Sequence, residues 1–441
     1  MQAVILAGGK GTRLAARLDG RPKPLVNVDG VPLLERQILT LAAQGVEEVV
    51  LLVNHAADQI ATYCAARNGF GLARLRLVDD GAPRGTAGAI LSCLPELRER
   101  FMVVYGDTLF NIDLTRFLAA HECSGADATL FLHPNDHPQD SDVVEIGGDG
   151  WITAFHPKPH PHGVHRANLV NAAFYVVERS ALEAWRDAPT PCDFAQDLFP
   201  AMQAAGHRLL GYNSFEYIKD LGTPSRLDKA TGHLRRGVVA RASLAVPQAC
   251  VFLDRDGTLN ALRDYVRVPS DLVMLPGAAE AVRRLNEAEQ RVAVVTNQPI
   301  LARGECTPEG MRAIHAKLDD ALAEAGAFAD RLYLCPHHPD AGFPNEVPAL
   351  KTVCDCRKPR PGMLLAAARD LNADLARSWM VGDSTSDIAA ARAAGVRAIL
   401  LRTGEGGRDG KCDATPDAIV DDLPAAVDLI LSASRSPRAS P

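Results

Sequence analysis

The amino-acid sequence predicts an α/β protein built from two doubly wound domains. Apolar runs of strand length alternate with helix-like segments in the first half, and the pattern starts again after residue 248. The strand-like runs of the first half are residues 2–7, 49–53 and 101–105, and its helix-like segments are 32–44, 56–67, 86–99 and 223–235. In the second half, three buried strand-like runs end in polar residues, at Asp254, Thr296 and Asp383. Open α/β sheets bind ligands at the carboxyl ends of their strands, so these ends are candidate sites.

Length and composition are typical of soluble globular domains. The 441 residues are 47% hydrophobic and 23% charged, and the net charge of −7 argues against nucleic-acid binding. No apolar run approaches the roughly 18 residues of a membrane span, and residues 1–7 lack the basic segment of a signal peptide. The ten cysteines are mostly scattered, which indicates a reducing compartment. We therefore expect a cytoplasmic protein without membrane or nucleic-acid partners, and the sequence leaves a homo-oligomer open.

The predicted domain boundary lies between residues 236 and 248. The helix-like segment 223–235 ends at Arg235-Arg236-Gly237, and Pro247 precedes the next buried strand. We predict one domain at 1–236, a linker at 237–247 and a second domain at 248–431. Residues 432–441 are polar with few apolar side chains, which predicts a disordered tail.

A pair of aspartates at the end of an apolar strand is the strongest chemical signal. Residues 251–260 read Val-Phe-Leu-Asp-Arg-Asp-Gly-Thr-Leu-Asn, so Asp254 and Asp256 can converge on one Mg²⁺ where the chain turns. In this arrangement Asp254 can attack phosphorus to form an aspartyl-phosphate, while Asp256 protonates the leaving oxygen and later activates water. The alternative is a solvated turn, which a lone Asp-x-Asp does not exclude.

Three later segments supply what such a site needs. Thr296 and Asn297 end a strand and can hydrogen-bond a phosphate, Lys358 offers a cation, and Asp383 adds a carboxylate for Mg²⁺. The four segments together resemble the haloacid dehalogenase-like phosphatase superfamily over about residues 248–430. The resemblance implies a nucleophile at Asp254, an acid/base at Asp256 and phosphate binding by Thr296 and Lys358. It also implies substrate contacts from Thr258, Asn297, Arg303 and Arg357, and Mg²⁺ ligands at Asp254, Asp256 and Asp383.

Cysteine and histidine side chains cluster in the loop between these segments. Cys335, His337, Cys354 and Cys356 offer three thiolates and an imidazole, which is the ligand set of a closed tetrahedral zinc site. His338 is the alternative imidazole. Unpaired core cysteines are the other interpretation, but the neighbouring Pro, His and Asp residues are typical of loops. Because four protein ligands leave no open position, we expect the Zn²⁺ to be structural and to fix the loop that carries Lys358.

The zinc segment narrows the resemblance. Cys-Pro-His-His-Pro at 335–339 and Cys-Asp-Cys-Arg-Lys-Pro at 354–359 are similar to the branch containing D,D-heptose 1,7-bisphosphate 7-phosphatases and histidinol phosphatases, and more similar to the former. Ile300 departs from the pattern, since the family commonly has glycine there, in the loop over the substrate. The resemblance implies removal of the 7-phosphate from a heptose bisphosphate.

The first half begins with a strand followed by a glycine-rich turn. The small residues of this turn allow backbone N–H groups to approach phosphate oxygens; they are Gly8, Gly9, Gly11 and Thr12. Arg13 and Lys23 add positive charge for a triphosphate. Two familiar patterns fail here. The Walker motif needs Lys followed by Ser or Thr, and the Gly-x-Gly-x-x-Gly fingerprint of dinucleotide-binding proteins is absent.

Two further strand ends in the first half carry carboxylates. Asp107 follows the run 101–105, and Asp220 precedes the turn before the helix-like segment 223–235. Together they can hold the Mg²⁺ that bridges a nucleotide and a sugar phosphate, although each alone is also compatible with a solvated turn.

These motifs resemble the sugar-1-phosphate nucleotidyltransferases over about residues 1–235, with a Rossmann-like fold. Gly106-Asp107-Thr108-Leu109-Phe110 is most similar to the D-glycero-α-D-manno-heptose 1-phosphate guanylyltransferases. The resemblance implies that Gly85 and Thr86 lie near the base, and that Lys158 and Asn171 contact the sugar phosphate. Pro157 departs from the family, in which Glu usually precedes the Lys-Pro pair. In line attack of the sugar phosphate on the α-phosphorus would need no covalent intermediate.

Six histidines at 133, 137, 156, 160, 162 and 165 lie in one polar stretch, and their irregular spacing favours a sugar-side loop over a second metal site. The two resemblances imply consecutive steps, from heptose 1,7-bisphosphate to heptose 1-phosphate and, with GTP, to GDP-heptose and pyrophosphate. The same chemistries on another sugar or with another nucleotide, as in ADP-heptose synthesis, remain open, as does histidinol phosphate for the phosphatase half. A nucleotide-sugar-sensing regulator is the alternative from another class, which intact catalytic carboxylates disfavour.

Overall fold

The computed structural model describes residues 1–161 and 163–435, which form two compact units. The first unit comprises Met1–His133, Asp140–His160 and Leu169–Leu244. The second comprises Pro134–Gln139, the described residues of 161–168 and all described residues from Ala245 onward. The division at 244 and 245 falls within the segment predicted as a linker. No helix of the described residues is both long and apolar enough to cross a membrane.

The first unit contains thirteen strands and nine α-helices among its described residues. Its strands are β1 (Gln2–Leu6), β2 (Asn27–Val28), β3 (Val31–Pro32), β4 (Glu48–Val53), β5 (Arg74–Asp79), β6 (Arg100–Tyr105), β7 (Thr108–Asn111), β8 (Ala128–His133), β9 (Val143–Ile146), β10 (Ile152–His156), β11 (Val170–Glu178), β12 (Leu209–Asn213) and β13 (Tyr217–Asp220). Its helices are α1 (Ala15–Leu18), α2 (Leu33–Ala42), α3 (Ala57–Ala66), α4 (Gly85–Ser92), α5 (Leu114–Ser124), α6 (Arg179–Leu182), α7 (Phe199–Ala204), α8 (Pro224–Arg235) and α9 (Val238–Arg241).

The central sheet of the first unit is mixed. Its main path runs β10-β9-β11-β6-β1-β4-β5, with β8 paired to β11 and β12 paired to β8. The strands β6, β1, β4 and β5 are parallel, as the alternation of strands and helices predicts, whereas β11 runs antiparallel to β6. Val4 belongs to the core on one face of this sheet and Ile5 to the core on the other. Burial on both faces explains why β1 is apolar throughout rather than alternating.

The helix predicted over residues 86–99 is shorter in the structure. Helix α4 ends at Ser92, and a separate 3₁₀ turn covers Leu94–Glu96. Pro95 lies inside this turn and has no backbone N–H to donate, so the α-helix cannot continue through it. The prediction of one continuous helix was therefore wrong at its carboxyl end.

The second unit contains a parallel sheet of six strands. These are β14 (Cys250–Leu253), β15 (Arg291–Asn297), β16 (Arg331–Cys335), β17 (Trp379–Gly382), β18 (Arg397–Leu401) and β19 (Ala418–Val420), in the order β16-β15-β14-β17-β18-β19. Its helices are α10 (Ala278–Glu287), α11 (Pro308–Glu324), α12 (Gly362–Asp370), α13 (Thr385–Ala393) and α14 (Leu423–Arg435). All five strand pairings are parallel, so every strand presents its carboxyl end at one edge.

Two segments outside the predicted domains are partly ordered. The predicted linker 237–247 contains α9, whose Val239 is buried in a small core of the first unit. Residues 432–435, which were predicted to begin the disordered tail, form the last turn of α14, which ends at Arg435. Residues 436–441 lie outside the described part of the chain.

Candidate active sites

The first candidate site lies at the carboxyl ends of β14, β15 and β17, which are neighbours in the second sheet. Asp254 directly follows β14, and its Oδ1 accepts a hydrogen bond of 2.6 Å from Lys358 Nζ. The same ammonium lies 2.7 Å from Asp387 Oδ1 and donates to the Val295 carbonyl at 2.8 Å. The Lys358 side chain is only 2% exposed. Two carboxylates therefore share one buried ammonium. Burial alone would lower the pKa of Lys358, but the negative charges of Asp254 and Asp387 outweigh this effect and raise it.

Asp383, at the end of β17, completes a group of three carboxylates. One oxygen from each of Asp254, Asp383 and Asp387 lies within 4.8 Å of the others. Burial, opposed in part by Lys358 and assisted by the neighbouring carboxylates, raises the pKa of Asp254 to about 7. Burial and the same neighbours raise the pKa of Asp383 to about 8. Asp256, which the sequence analysis placed among the Mg²⁺ ligands, is not part of this group.

The backbone packs closely around Asp383. Its Oδ2 accepts a hydrogen bond of 2.7 Å from the Glu405 N–H. A Cβ atom added at Gly257 or at Gly404 would overlap the same carboxylate, and both glycines have positive φ. These two positions therefore require glycine for steric as well as conformational reasons.

Asp256 is held by donors from several segments. Arg255 Nη2 lies 3.0 Å from Oδ1 and 2.8 Å from Oδ2, Asn260 Nδ2 donates to Oδ1 at 2.9 Å, and Gln298 Nε2 donates to Oδ2 at 2.9 Å. Burial favours the neutral form, but the charge of Arg255 and these hydrogen bonds outweigh it and lower the pKa of Asp256. On the other side of Arg255, burial and the guanidinium charge lower the pKa of His315 to about 3, so this ring is neutral.

Three polar residues predicted to contact the phosphate or the rest of the substrate have different surroundings. Thr296 Oγ1 accepts a hydrogen bond of 2.8 Å from Gln298 Nε2. Asn297 uses both side-chain atoms on the Lys358 backbone, donating to its carbonyl at 3.0 Å and accepting from its N–H at 3.1 Å. The Thr258 hydroxyl is buried and makes no hydrogen bond with the described residues. Asn297 thus holds the loop of the buried lysine, which the sequence did not indicate.

Two cationic side chains lie against the Phe343 ring in the same unit. The Arg303 guanidinium lies 4.5 Å from the Phe343 ring centroid, and Lys351 Nζ lies 4.8 Å from it. The Lys351 side chain is 9% exposed, and its ammonium is 3.5 Å from Glu346 Oε2. Burial and the charges of Arg357, Arg303 and Lys351 lower the pKa of His338 nearby. This cationic cluster (Arg303, Lys351 and Arg357) is a candidate anion-binding surface.

The four zinc ligands predicted from the sequence come together. The Sγ atoms of Cys335, Cys354 and Cys356 lie 3.2 to 3.5 Å apart, and His337 Nδ1 is 3.3 Å from Cys356 Sγ. His338 points elsewhere, since its Nδ1 accepts a hydrogen bond from the Asp340 N–H at 3.3 Å. The structure therefore selects His337 over His338 as the imidazole of this cluster.

Ligand-type side chains gather in no third group of three or more among residues 1–161 and 163–435. Of the six histidines between 133 and 165, His162 lies outside the described residues, and the interpretation of this stretch as a sugar-side loop stays a prediction.

The second candidate site is a cavity of about 520 Å³ in the first unit. Its lining includes six residues predicted from the sequence, namely Gly8, Gly9, Lys23, Gly85, Thr86 and Asp107, and also Lys10 and Arg84. The size falls within the range of small-molecule pockets, roughly 300 to 1,000 Å³. Gly11 and Thr12 are not on the lining, but Gly11 has φ of +63° and an added Cβ would lie 2.9 Å from Lys23 Cβ. Gly11 thus allows the turn to pack against the lysine.

Carboxylates and cations pair beside this cavity. Lys23 Nζ donates to Asp107 Oδ2 at 2.5 Å. Asp220 accepts from Arg226 Nη1 with both oxygens, at 2.6 Å each, and from the Gly222 N–H at 3.1 Å. Burial alone would raise the pKa of the Asp220 carboxyl, but the hydrogen bonds and charge of Arg226 outweigh this effect and lower it. The Leu221 N–H donates to the Asp107 carbonyl at 2.8 Å, so the two aspartates lie on adjacent backbone segments.

Arg13 lies beside the second of these aspartates. A Cβ atom added at Gly222 would be 3.0 Å from Asp220 Oδ1 and 3.2 Å from Arg13 Nη2. Arg13 is exposed and does not line the cavity itself.

The two residues predicted on the sugar side share one partner. The Lys158 N–H donates to Asp142 Oδ1 at 3.2 Å, and the Asn171 N–H donates to the Asp142 carbonyl at 3.0 Å. The Asn171 side chain contacts Tyr175, which packs edge-on against Tyr105 at a centroid distance of 6.0 Å. Tyr105 lines the cavity, whereas Lys158 is exposed and lies off its lining.

Several residues of the sites were not assigned from the sequence, and four of them show why. Gln298 comes one position after Asn297, and Asp387 comes four positions after Asp383. The signal for both was therefore a polar residue shortly after a recognised strand end. Arg255 stands between the two recognised aspartates, but nothing in the sequence says that its side chain folds back on Asp256. Lys351 lies in a loop without any motif, and only the fold brings it to Phe343.

Comparison with known proteins assigns each half separately. Residues 2–236 match the nucleotidyl transferase family model, and residues 355–426 match the HAD-hydrolase-like model. A D-glycero-D-manno-heptose-1,7-bisphosphate 7-phosphatase of Thermosynechococcus vestitus is 43% identical over 192 residues, which cover 42% of this chain and 96% of the relative.

Two solved structures are also similar over part of the chain. The D,D-heptose 1,7-bisphosphate phosphatase of B. bronchiseptica, complexed with magnesium and phosphate, is 37% identical with a TM-score of 0.37, covering 42% of this chain and 99% of its own. HddC from Yersinia pseudotuberculosis is 25% identical with a TM-score of 0.46, covering 53% of this chain and 99% of its own.

Proposed function

Since this chain belongs to the nucleotidyl transferase family through residues 2–236, and also to the D-glycero-D-manno-heptose-1,7-bisphosphate 7-phosphatases, we propose that it is a bifunctional enzyme of nucleotide-activated heptose synthesis. The phosphatase half removes the 7-phosphate of D-glycero-α-D-manno-heptose 1,7-bisphosphate. The other half transfers GMP from GTP to the resulting heptose 1-phosphate and releases pyrophosphate. The observation that carries the proposal is the buried Asp254–Lys358 pair at a strand end, in a chain that also has a glycine-lined cavity of nucleotide size.

In the phosphatase half, Asp254 is the nucleophile. One of its oxygens bonds to phosphorus while the bond from phosphorus to the C7 oxygen breaks. Asp256, which is ionised in the free protein, binds a proton when the negatively charged phosphate enters the site and passes it to that oxygen. Asp256 then takes a proton from water, whose oxygen attacks phosphorus and releases Asp254. Lys358 stabilises the negative charge on the phosphoryl oxygens, with Thr296 as a hydrogen-bond donor.

The carboxylate group fits a magnesium ion. Asp254, Asp383 and Asp387 provide hard oxygen donors within 4.8 Å of one another, while only one ammonium, Lys358, lies among them. Bound there, Mg²⁺ would offset the repulsion between these carboxylates and the incoming phosphate. In the first unit, Asp107 and Asp220 are the residues that would hold the second Mg²⁺, with the Arg226 ion pair opening to free the oxygens of Asp220.

The thiol and imidazole cluster fits a zinc ion. Zn–S bonds of about 2.3 Å in a tetrahedron place sulfur atoms about 3.8 Å apart, and the Sγ distances between Cys335, Cys354 and Cys356 are 3.2 to 3.5 Å. His337 supplies the fourth position. Zn²⁺ would tie together the ends of the loop from 335 to 356, two residues before Lys358.

The cationic cluster is placed to bind a second phosphate of the substrate. Arg357 immediately precedes the lysine that binds Asp254, so the cluster lies next to the reacting phosphate along the chain. Arg303 and Lys351 flank one ring and have one carboxylate, Glu346, beside them. We assign this surface to the second phosphate of the substrate, which a sugar monophosphate lacks.

The transferase half works by positioning and charge stabilisation. Its nucleophile is the phosphate of heptose 1-phosphate, which attacks the α-phosphorus in line, so no protein side chain needs to form a covalent bond. Backbone N–H groups of Gly8 and Gly9 and the charges of Lys23 and Arg13 stabilise the triphosphate and the departing pyrophosphate. Gly85 and Thr86 lie on the same cavity and are assigned to the base.

Product analysis tests both steps at once. The protein is incubated with Mg²⁺, heptose 1,7-bisphosphate and an equal mixture of GTP, ATP, CTP, UTP and dTTP, and products are identified by mass spectrometry. We expect GDP-heptose, phosphate and pyrophosphate; a dominant ADP-heptose would retain both chemistries and change the base.

Two single-site variants separate the halves. Asp254→Asn is expected to abolish phosphate release from the bisphosphate and to leave guanylyl transfer to heptose 1-phosphate intact, and Asp107→Asn is expected to do the reverse. Loss of both activities from either change would contradict two separable sites, and absence of any nucleotide sugar would refute the transferase assignment.

A further inference from the structure

Arg255 is fully buried although it stands between two catalytic carboxylates. Its side chain is 0% exposed, and β14 turns it away from Asp254 because side chains alternate at the end of a strand. The only carboxylate within salt-bridge distance among the described residues is Asp256. A buried guanidinium is costly unless it is paired and hydrogen-bonded, so this placement calls for a specific reason.

The guanidinium is fixed at both ends. Towards Asp256, Nη2 lies 3.0 Å from Oδ1 and 2.8 Å from Oδ2, and Nε lies 3.3 Å from Oδ1. On its far side, Nη1 donates to His315 Nε2 at 3.3 Å and contacts Met311 Sδ at 3.8 Å. Both of these partners belong to α11. The planar group therefore has one orientation, and it transmits that orientation to the carboxylate.

Two further donors hold the Asp256 carboxylate. Asn260 donates to Oδ1 and Gln298 donates to Oδ2, at 2.9 Å each, from the loops that follow β14 and β15. Among the described residues, Arg255 is the one donor that contacts both oxygens. It therefore ties the two oxygens to one planar group, whereas each amide holds a single oxygen.

We propose that Arg255 is a positioning residue that fixes the plane of the Asp256 carboxyl group for proton transfer, and that His315 fixes Arg255 in turn. This inference rests on the proposed phosphatase activity, in which Asp256 gives a proton to the leaving oxygen and takes one from water. Proton transfer requires a donor within hydrogen-bond reach of the reacting oxygen, and a positioned acid or base contributes about 10²- to 10⁴-fold. A lysine at position 255 keeps the charge but cannot contact both oxygens in a fixed plane.

Leaving-group dependence separates this role from a structural one. The alkoxide leaving group of heptose 1,7-bisphosphate needs the proton, whereas p-nitrophenolate departs without it. For Arg255→Lys we expect kcat/KM with the bisphosphate to fall at least about tenfold more than kcat/KM with p-nitrophenyl phosphate. Since water activation is also impaired, rapid mixing with p-nitrophenyl phosphate should give a larger burst of p-nitrophenol than in the unaltered protein.

The ratio of the two kcat/KM values does not depend on how much of the protein is folded. His315→Leu, which removes the acceptor of Arg255 Nη1, should change the ratio in the same direction by a smaller factor and serves if Arg255→Lys does not accumulate. Arg283→Lys, a surface arginine of α10 paired with Glu280 and Glu287, is the matched control.

Asp256→Asn measured in parallel distinguishes the two possible failures. If Asp256→Asn lowers the ratio and both Arg255→Lys and His315→Leu leave it within twofold of the unaltered protein, the positioning role is overturned. If Asp256→Asn itself leaves the ratio unchanged, the proposed acid/base role fails and the inference fails with it.

Discussion

Removal of the proposed zinc ion should reduce the phosphatase activity and spare the transferase. Cys356 lies two residues before Lys358, so loss of its bond to the metal releases a tether at most about 7.6 Å from the lysine, at 3.8 Å per residue. A misplacement of about 1 Å can cost about 10²-fold in rate. The Lys358 backbone is also held by Asn297 at 3.0 and 3.1 Å, so we expect a loss near 10²-fold rather than complete inactivation.

The assay compares the two activities in one sample. Cys356→Ser, and the unaltered protein dialysed against a zinc chelator and returned to Mg²⁺, are measured for zinc content, for kcat/KM with the bisphosphate and for guanylyl transfer. Zinc should fall from one per chain towards zero in parallel with phosphatase activity, while transfer stays within twofold. Cys412→Ser is the control, since this cysteine of the same unit lies outside the cluster. A zinc-free protein with unchanged phosphatase activity would refute the structural role.

Three further changes test other parts of the structure. Gly85→Ala should lower kcat/KM for GTP in guanylyl transfer at least about tenfold without affecting phosphate release, because Gly85 has φ of +78° and a Cβ would overlap the Cys192 carbonyl; an unchanged kcat/KM for GTP would contradict this. Lys351→Met should raise KM for the bisphosphate about tenfold but leave KM for p-nitrophenyl phosphate unchanged, with exposed Lys411→Met as control; equal effects on both substrates would contradict the assignment to the second phosphate. Asp330→Asn should stabilise the protein at pH 8 by on the order of 2 to 3 kcal/mol, since burial raises the pKa of Asp330 to about 6 from about 3.8 in the unfolded chain. The folded state binds this proton more tightly, so stability falls as pH rises from about 4 to about 6, and urea denaturation of the variant should lack that loss; identical pH profiles would contradict the prediction.

Strand-end reasoning predicted more of the Asp254 site than of the cavity in the first unit. Asp254 and Asp383 directly follow β14 and β17, and Thr296 is the last residue but one of β15; parallel strands bring such positions to one edge whatever their side-chain rotamers. The Cys/His cluster could be predicted equally well, because the ligand types and their close spacing in the sequence indicate a metal site. The sequence could not distinguish His337 from His338, since that choice depends on how the loop turns.

The pairing of side chains could not be predicted from the sequence. Asn297 has a side chain that can hydrogen-bond a phosphate, but its amide holds the Lys358 backbone instead. Asp220 pairs with Arg226, which lies in the first turn of helix α8. The two residues are six positions apart across a turn, so no helical or strand periodicity in the sequence indicates that they pair. Such contacts are decided by loop geometry and rotamer choice, whereas alternation of apolar runs decides only the sheet and its edge.

The two proposed mechanisms differ in the source of the nucleophile. In the proposed phosphatase mechanism the nucleophile is the Asp254 carboxylate, which must meet a phosphate of the same charge beside two further carboxylates, so Lys358 and a bound cation are both needed to offset the repulsion. In the proposed transferase mechanism the attacking group is the phosphate of the substrate itself. The protein then supplies no nucleophile, and its part is to bind and orient two phosphorylated substrates with Lys23, the glycine turn and the Mg²⁺ that Asp107 and Asp220 would hold. The product of the phosphatase half is the nucleophile of the transferase half, so the phosphate spared by the first site is the group that reacts in the second.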